Sequence, residues 1–326
     1  MTDAPRSKNF ERFAWFFAAY LIAVILFGAW VRITGSGAGC GSHWPVCDGE
    51  IVPTAPDVKK QIEYTHRLTS GLCGVFALIL VGWAWRLYGR SRVLVASMAT
   101  LFFVLVEGGI GAALVLQELV AENDSVARAV MVAIHLTNTL LLTAAASLAA
   151  WFAGGRSLPR FARDRRLARR VAVGLALIVL TSMTGAVTAL GDTLFPIEPA
   201  AGGELLAKIS ADVSASNHFL IRLRALHPAV AVVAAGYLLW LLLPLARGPE
   251  GSGWARAGVA LVVIETGAGA LNVALAAPGW MQIVHLLLAN LVWIAVVLTG
   301  AEQLEGPASS SPATSPTTAG AAAEPA

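Results

Sequence analysis

Apolar residues run through this chain in stretches of about twenty, rather than in the one-sided or alternating patterns of soluble helices and strands. A helix of about 20 apolar residues crosses the hydrocarbon core of a bilayer with every backbone polar group bonded inside the segment. The stretches predict eight helical spans over roughly 12–33, 62–87, 93–117, 128–153, 169–190, 219–245, 255–276 and 280–300. The first span is too long, and the loop after it too unlike a cleavage site, for a removable signal segment, so it is read as a true helix. The expected fold class is an all-α integral membrane protein.

The spans repeat. Span 3 contains Glu107-Gly-Gly-Ile-Gly111 and span 7 contains Glu265-Thr-Gly-Ala-Gly269. His66 in span 2 matches His227 in span 6, and His135 in span 4 matches His285 in span 8, with Asn138 and Asn290 following. Gly28-Ala-Trp-Val closes span 1 and Gly185-Ala-Val-Thr closes span 5. All these offsets are roughly 150–160 residues, so four spans are repeated in the same orientation. The expectation is two pseudo-symmetric four-helix bundles. Residues 1–160 would form the N-terminal half and 161–305 the C-terminal half, with 306–326 as a tail. That tail is Ala, Ser, Thr and Pro with almost no large apolar residue, a composition that cannot bury enough surface to fold.

Composition agrees with a membrane class: 57% of residues are hydrophobic and 13% charged, too few charges to coat a soluble surface. The net charge of +3 is less informative than its placement. Arg6, Lys8 and Arg12 precede span 1, while Arg86, Arg90 and Arg92 join spans 2 and 3. Arg156, Arg160, Arg163, Arg165, Arg166, Arg169 and Arg170 join spans 4 and 5, and Arg247 and Arg256 join spans 6 and 7. The other connections carry Asp48, Glu50, Asp57, Glu118, Glu122, Asp124, Asp192, Glu198 and Glu204. The positive-inside rule then predicts both termini on the cytoplasmic side of the cell membrane and the acidic loops outside. The arginine run at 156–170 is read as a topology signal and not as a nucleic-acid site.

Four of the six histidines sit one per even-numbered span, near its outward end and at similar depth. A single such histidine reads as a hydrogen-bonded core residue; four placed symmetrically read as two facing pairs. Two imidazoles inside a four-helix bundle suit the axial positions of a heme. Zinc is a poorer match, because each half offers two histidines and no thiolate cluster in the membrane. The intramembrane Glu107 and Glu265 have two readings, interhelical hydrogen bonding or a functional role. The glycines beside them read chiefly as small residues for close helix approach.

The halves are unequal. Glu63-Tyr-Thr-His66-Arg67 puts Glu63 and His66 on one helix face, with the carboxylate one turn nearer the outer surface. There it can move a proton or stabilise positive charge at the rim of a bound macrocycle. The second half has Arg224-Ala-Leu-His227-Pro228 and no such glutamate. Arg67, Arg222 and Arg224 are candidates for pairing with propionates, with a purely topological role as the other reading. Cys40 and Cys47 bracket the first outer loop, where an oxidising compartment permits a disulfide, structural or redox-active. Cys73 reads as a packing residue, and His43, in the loop, not as a ligand.

The segment Gly28-Ala-Trp-Val-Arg-Ile-Thr-Gly-Ser-Gly, followed by Cys40, Trp44-Pro45, Cys47 and Gly49, resembles the heme A synthase family, as does Glu63-x-x-His66-Arg67. The resemblance covers roughly residues 10–300 and is most specific in the first half. It implies a membrane enzyme that oxidises the C8 methyl of heme O to a formyl group, giving heme A for cytochrome c oxidase. His66 and His135 would then hold substrate heme O, and His227 and His285 a heme b cofactor. Glu63 would be the functional glutamate and Cys40 and Cys47 the first-loop pair. Implied partners are membrane lipid, a heme O synthase, cytochrome c oxidase assembly factors, and a thiol–disulfide reductant or quinol. The chain departs from the pattern where many relatives carry a second cysteine pair after span 5, and where Pro228 stands in place of a common arginine. The histidines alone also fit a dihaem b-type electron-transfer cytochrome linked to quinol, and a parallel-repeat transporter is a third reading.

Overall fold

A computed structural model describes residues 7–54, 57–196, 214, 216–247 and 251–305. The expected tail at 306–326, and Arg6, Glu198 and Glu204 among the charges, lie outside the described residues. The helices are α1 (Lys8–Ile33), α2 (Val58–Tyr88), α3 (Arg92–Leu116), α4 (Val126–Ala153), α5 (Arg165–Leu194), α6 (Phe219–Leu223), α7 (Leu226–Ala246), α8 (Gly253–Ala274) and α9 (Gly279–Gln303). With α6 and α7 taken as one segment, eight are long and apolar enough to cross a membrane. The described residues contain isolated β-bridges and no strand. The chain is thus an all-α, multi-pass membrane protein.

The ends follow local chemistry. Ser7, Asp57, Ser91, Ser125, Asp164 and Ser252 each accept a backbone N–H from the first turn of the following helix. Such caps satisfy donors that a helix leaves unpaired at its N-terminus. They also explain why α1 and α2 begin about four residues before the apolar stretches do: polar first turns are helical once capped. Span 6, expected to be continuous, is broken between α6 and α7. Pro228 has no N–H to offer the Arg224 carbonyl and its ring clashes there, so the helix restarts with His227 in its first turn.

α1 packs on α2 and α4, and α3 packs on α2 and α4. The second set repeats the plan, with α5 on α7 and α9, and α8 on α7 and α9. α4 and α9 also pack on each other and are the most buried spans. The alanine-rich stretch Ala144-Ala-Ala-Ser-Leu-Ala-Ala150 explains α4, since small side chains let helices approach closely without a hydrophobic driving force in lipid. The Trp293 indole of α9 donates to the Leu140 carbonyl of α4 at 2.7 Å. Near the C-terminal end of α1, half-buried Arg32 donates to the Ala189 carbonyl of α5 at 2.6 Å and to Gln282 Oε1 of α9 at 2.9 Å. A charge at that depth is costly unless its donors are engaged, and here they tie the first four spans to the last four.

Candidate functional site

Each of the four histidines enters the helix interior within the first three turns of its span. The rings of His227 and His285 face one another with centroids 6.3 Å apart and planes inclined by 77°. Two metal–imidazole bonds of roughly 2 Å, with about 1 Å from each nitrogen to its ring centre, give a similar separation, so the spacing fits a metal atom between the rings. His66 and His135 are close enough to interact electrostatically. Phe27 meets the His66 ring edge-on at 5.6 Å between centroids.

Glycines seat three of the rings. A Cβ on Gly185 would stand 2.9 Å from His227 Cε1, and one on Gly28 or Gly269 would stand 3.1 Å from Cε1 of His66 or His285. The motifs that close spans 1 and 5 and mark span 7 therefore make room for imidazoles, beyond the helix approach expected of them. Gly111, the counterpart of Gly269, has nothing within 4 Å of such a Cβ.

Nδ1 partners differ between the rings. Glu107 Oε1 lies 3.2 Å from His135 Nδ1, and Glu265 Oε1 lies 3.1 Å from His285 Nδ1. The Thr184 hydroxyl is 3.2 Å from His227 Nδ1. His66 Nδ1 is buried without a hydrogen-bond partner. Thr184 was not singled out in the sequence; its place directly before Gly185 in the repeated motif was the available signal. Among the described residues no group of three or more His, Cys, Asp or Glu side chains is arranged to hold a metal ion.

Glu63 is 3% exposed, and its carboxylate joins α2 to the cysteine loop between α1 and α2. Oε2 accepts the Cys40 backbone N–H at 2.8 Å, and Oε1 accepts from Arg67 Nε at 3.1 Å. Arg67 Nη1 donates to the carbonyls of His43 and Val46 at 2.6 and 2.7 Å. Both carbonyls lie inside the ring closed by a Cys40–Cys47 disulfide. Gly39 permits this docking: a Cβ there would stand 2.6 Å from the Lys59 carbonyl in the first turn of α2. Lys60 adds an ion pair to Asp48, and that hydrogen bond holds the exposed Asp48 carboxyl below its ordinary pKa. Changing both cysteines to serine should lower stability by about 2–3 kcal/mol, the chain-entropy value for so small a ring. Chemical denaturation of the double variant against wild type measures it.

The arginines are placed differently from one another. Arg67 is occupied as described. Arg224 lies 2.8 Å from Asp192 Oδ1 and donates to the Gly191 carbonyl at 2.9 Å and to that of Phe195, so it fastens the start of span 6 to the end of α5. Arg222 is exposed. Cys73 is buried and unbridged.

Eight segments long and apolar enough to cross a membrane, four of them carrying a histidine within their first three turns, define a multi-pass membrane protein with histidines set in its spans. A family model described as cytochrome oxidase assembly protein matches residues 11–297, and the chain belongs to that family. It is 31% identical over 267 residues to a heme A synthase of Symbiobacterium thermophilum, covering 78% of this chain and 82% of that protein. It is 44% identical over 93 residues to a heme A synthase of Alkalihalophilus pseudofirmus, 28% of this chain and 31% of that one. A protein of Thermus thermophilus named protoheme IX farnesyltransferase is 44% identical over 309 residues, 92% of this chain but 49% of its own length. The chain thus spans about half the length of that relative.

Proposed function

We propose that this protein is a heme A synthase, converting the C8 methyl of heme O to a formyl group, with heme b as a resident cofactor. The observation that carries the proposal is the close pair of His227 and His285 rings in a chain alignable with most of a heme A synthase. The two rings of packed helices, α1 to α4 and α5 to α9, support a division at about residue 160 into two bundles with one heme each. His66 and His135 hold the substrate, and His227 and His285 the cofactor. The charge pattern supports cytoplasmic termini and an outward-facing cysteine loop in the cell membrane.

The unequal halves assign the chemistry. Only the first half has a carboxylate one turn from its histidine, together with a disulfide loop latched over it. Methyl to formyl is a four-electron oxidation that adds one oxygen atom, so bound heme iron would supply the redox centre, with an external oxidant taking up the electrons. His66 and His135 fix the macrocycle in orientation, which converts an encounter into a positioned reaction. Glu63 faces this half with two acceptor oxygens, already fixed by Cys40 and Arg67 before substrate arrives. Preorganised negative charge there stabilises positive charge developing at the reacting carbon, and either oxygen can accept the proton that leaves. The docked loop shields that edge from water, which strengthens these interactions.

A hydrophobic substrate reaches such a site most directly through lipid. The farnesyltransferase name on a relative twice as long supports a heme O synthase as the supplying partner, and the family name supports a role upstream of cytochrome c oxidase. Extracting the pigment from purified protein tests the proposal. Heme b together with o- or a-type heme is expected; two b hemes and nothing else would mark an electron-transfer cytochrome, and no heme a transporter.

A further inference from the structure

We infer that Glu107 and Glu265 are positioning residues that orient His135 and His285 for iron by engaging Nδ1 of each ring. The inference rests on the heme-ligand assignment above and extends it to the carboxylates behind the ligands. The same contact occurs twice, in unconnected parts of the chain. Glu107 on α3 approaches Nδ1 of His135 on α4 at 3.2 Å, and Glu265 on α8 approaches Nδ1 of His285 on α9 at 3.1 Å. In each case the carboxylate comes from the helix preceding that of the histidine. A carboxylate on Nδ1 fixes the proton there and leaves the Nε2 lone pair free, and Nε2 points away from it across the ring. Neither contact meets hydrogen-bond geometry in the structure, and such bonds commonly tighten only in the bound state.

The two carboxylates are not equally held. Glu107 Oε2 accepts from Asn138 Nδ2 and Oε1 from the Thr139 hydroxyl, both at 2.5 Å and both one turn beyond His135 on α4. In the second half Asn290 donates to the Leu286 carbonyl instead, and Glu265 Oε2 has no hydrogen-bond partner. The Glu107 charge is thus shared among several donors, whereas that of Glu265 is directed chiefly at one imidazole. The partner rings lack carboxylates: His227 meets Thr184, and His66 Nδ1 has no bonded partner. Each site therefore pairs one carboxylate-backed imidazole with one that is not. A more basic Nε2 favours ferric over ferrous iron, so outer hydrogen bonding tunes the heme potential.

The test uses purified full-length protein with its resident heme. Glu265→Gln keeps the side-chain shape and removes the charge. It should raise the resident heme's midpoint potential in a redox titration and speed heme loss to apomyoglobin about 10–100-fold. Glu265→Asp, charged but shorter, should fall between wild type and Gln, and serves in its place where Gln accumulates poorly. Glu107→Gln should leave the resident potential unchanged and weaken binding of heme added to the first half. A Glu265→Gln protein with wild-type potential and heme-loss rate would overturn the inference. Full heme retention in a His285→Ala protein would instead overturn the ligand assignment beneath it, so the two failures are separable.

Discussion

A variant with both His227 and His285 changed to alanine is expected to accumulate in the membrane without its resident b-type heme. The two rings face each other at a separation that accommodates one metal atom, and Gly185 and Gly269 are shaped to receive them. Alanine supplies no lone pair, so iron loses both axial donors at once and only apolar contacts with the macrocycle remain. Loss of the b-type signal in reduced-minus-oxidised spectra, normalised to protein, should exceed about tenfold, the lower range seen when even outer-shell metal partners are removed. The helices should survive, because the imidazoles lie near the N-terminal ends of α7 and α9 and the core is built elsewhere. Phe10, Phe17, Leu80, Leu242 and Leu298 are fully buried in the helix core. The single variants should each retain less heme than wild type. The corresponding change of His66 and His135 should spare the b signal and abolish turnover.

Glu63→Gln carries the second large effect. Heme A formation should fall about 10²–10⁴-fold, the range contributed by a positioned acid–base group, with heme O or a partly oxidised alcohol form accumulating. Glutamine still offers an oxygen to the Cys40 N–H, so the loop should stay docked and heme binding should remain near normal. Alanine is the wrong probe, because it would remove the acceptor oxygens as well as the charge and leave the Cys40 N–H and Arg67 without their partner. Glu50→Gln in the same exposed loop, whose carboxylate only accepts from Thr54, is the matched control and should be silent. Chromatography of hemes extracted from cells making each variant decides the matter. Wild-type heme A from Glu63→Gln would remove Glu63 from the chemistry.

The apolar stretches were enough to place all eight spans, because lipid imposes a length and a composition that few alternatives satisfy. The repeat that pairs Glu107 with Glu265 and His135 with His285 was legible too, and in the structure each glutamate approaches its own histidine. What their glutamates do was not legible. Glu107 and His135 belong to different helices, and no periodicity says which faces will meet. The break in span 6 had its signal in Pro228, but a proline near a helix start is tolerated as often as it interrupts. The arginines mark another boundary of sequence reading. Arg67 and Arg224 were read as propionate partners or topology residues, and their grip on loop and helix-end carbonyls, which come close only after folding, had no signal in the sequence. Glu63 was read correctly as sharing a helix with His66. The loop that wraps back to hold its carboxylate depends on Gly39 and on the disulfide together, a tertiary arrangement that spacing along the chain does not encode.

The central claim is the conversion itself. Purified protein, reconstituted in lipid vesicles with heme O and supplied with a redox partner from the membrane fraction, should convert heme O to heme A as resolved by chromatography and mass. Conversion should disappear in the His66→Ala, His135→Ala variant. Stoichiometric binding of heme O with its methyl group intact after prolonged incubation, under conditions where an authentic heme A synthase turns over, would contradict the account.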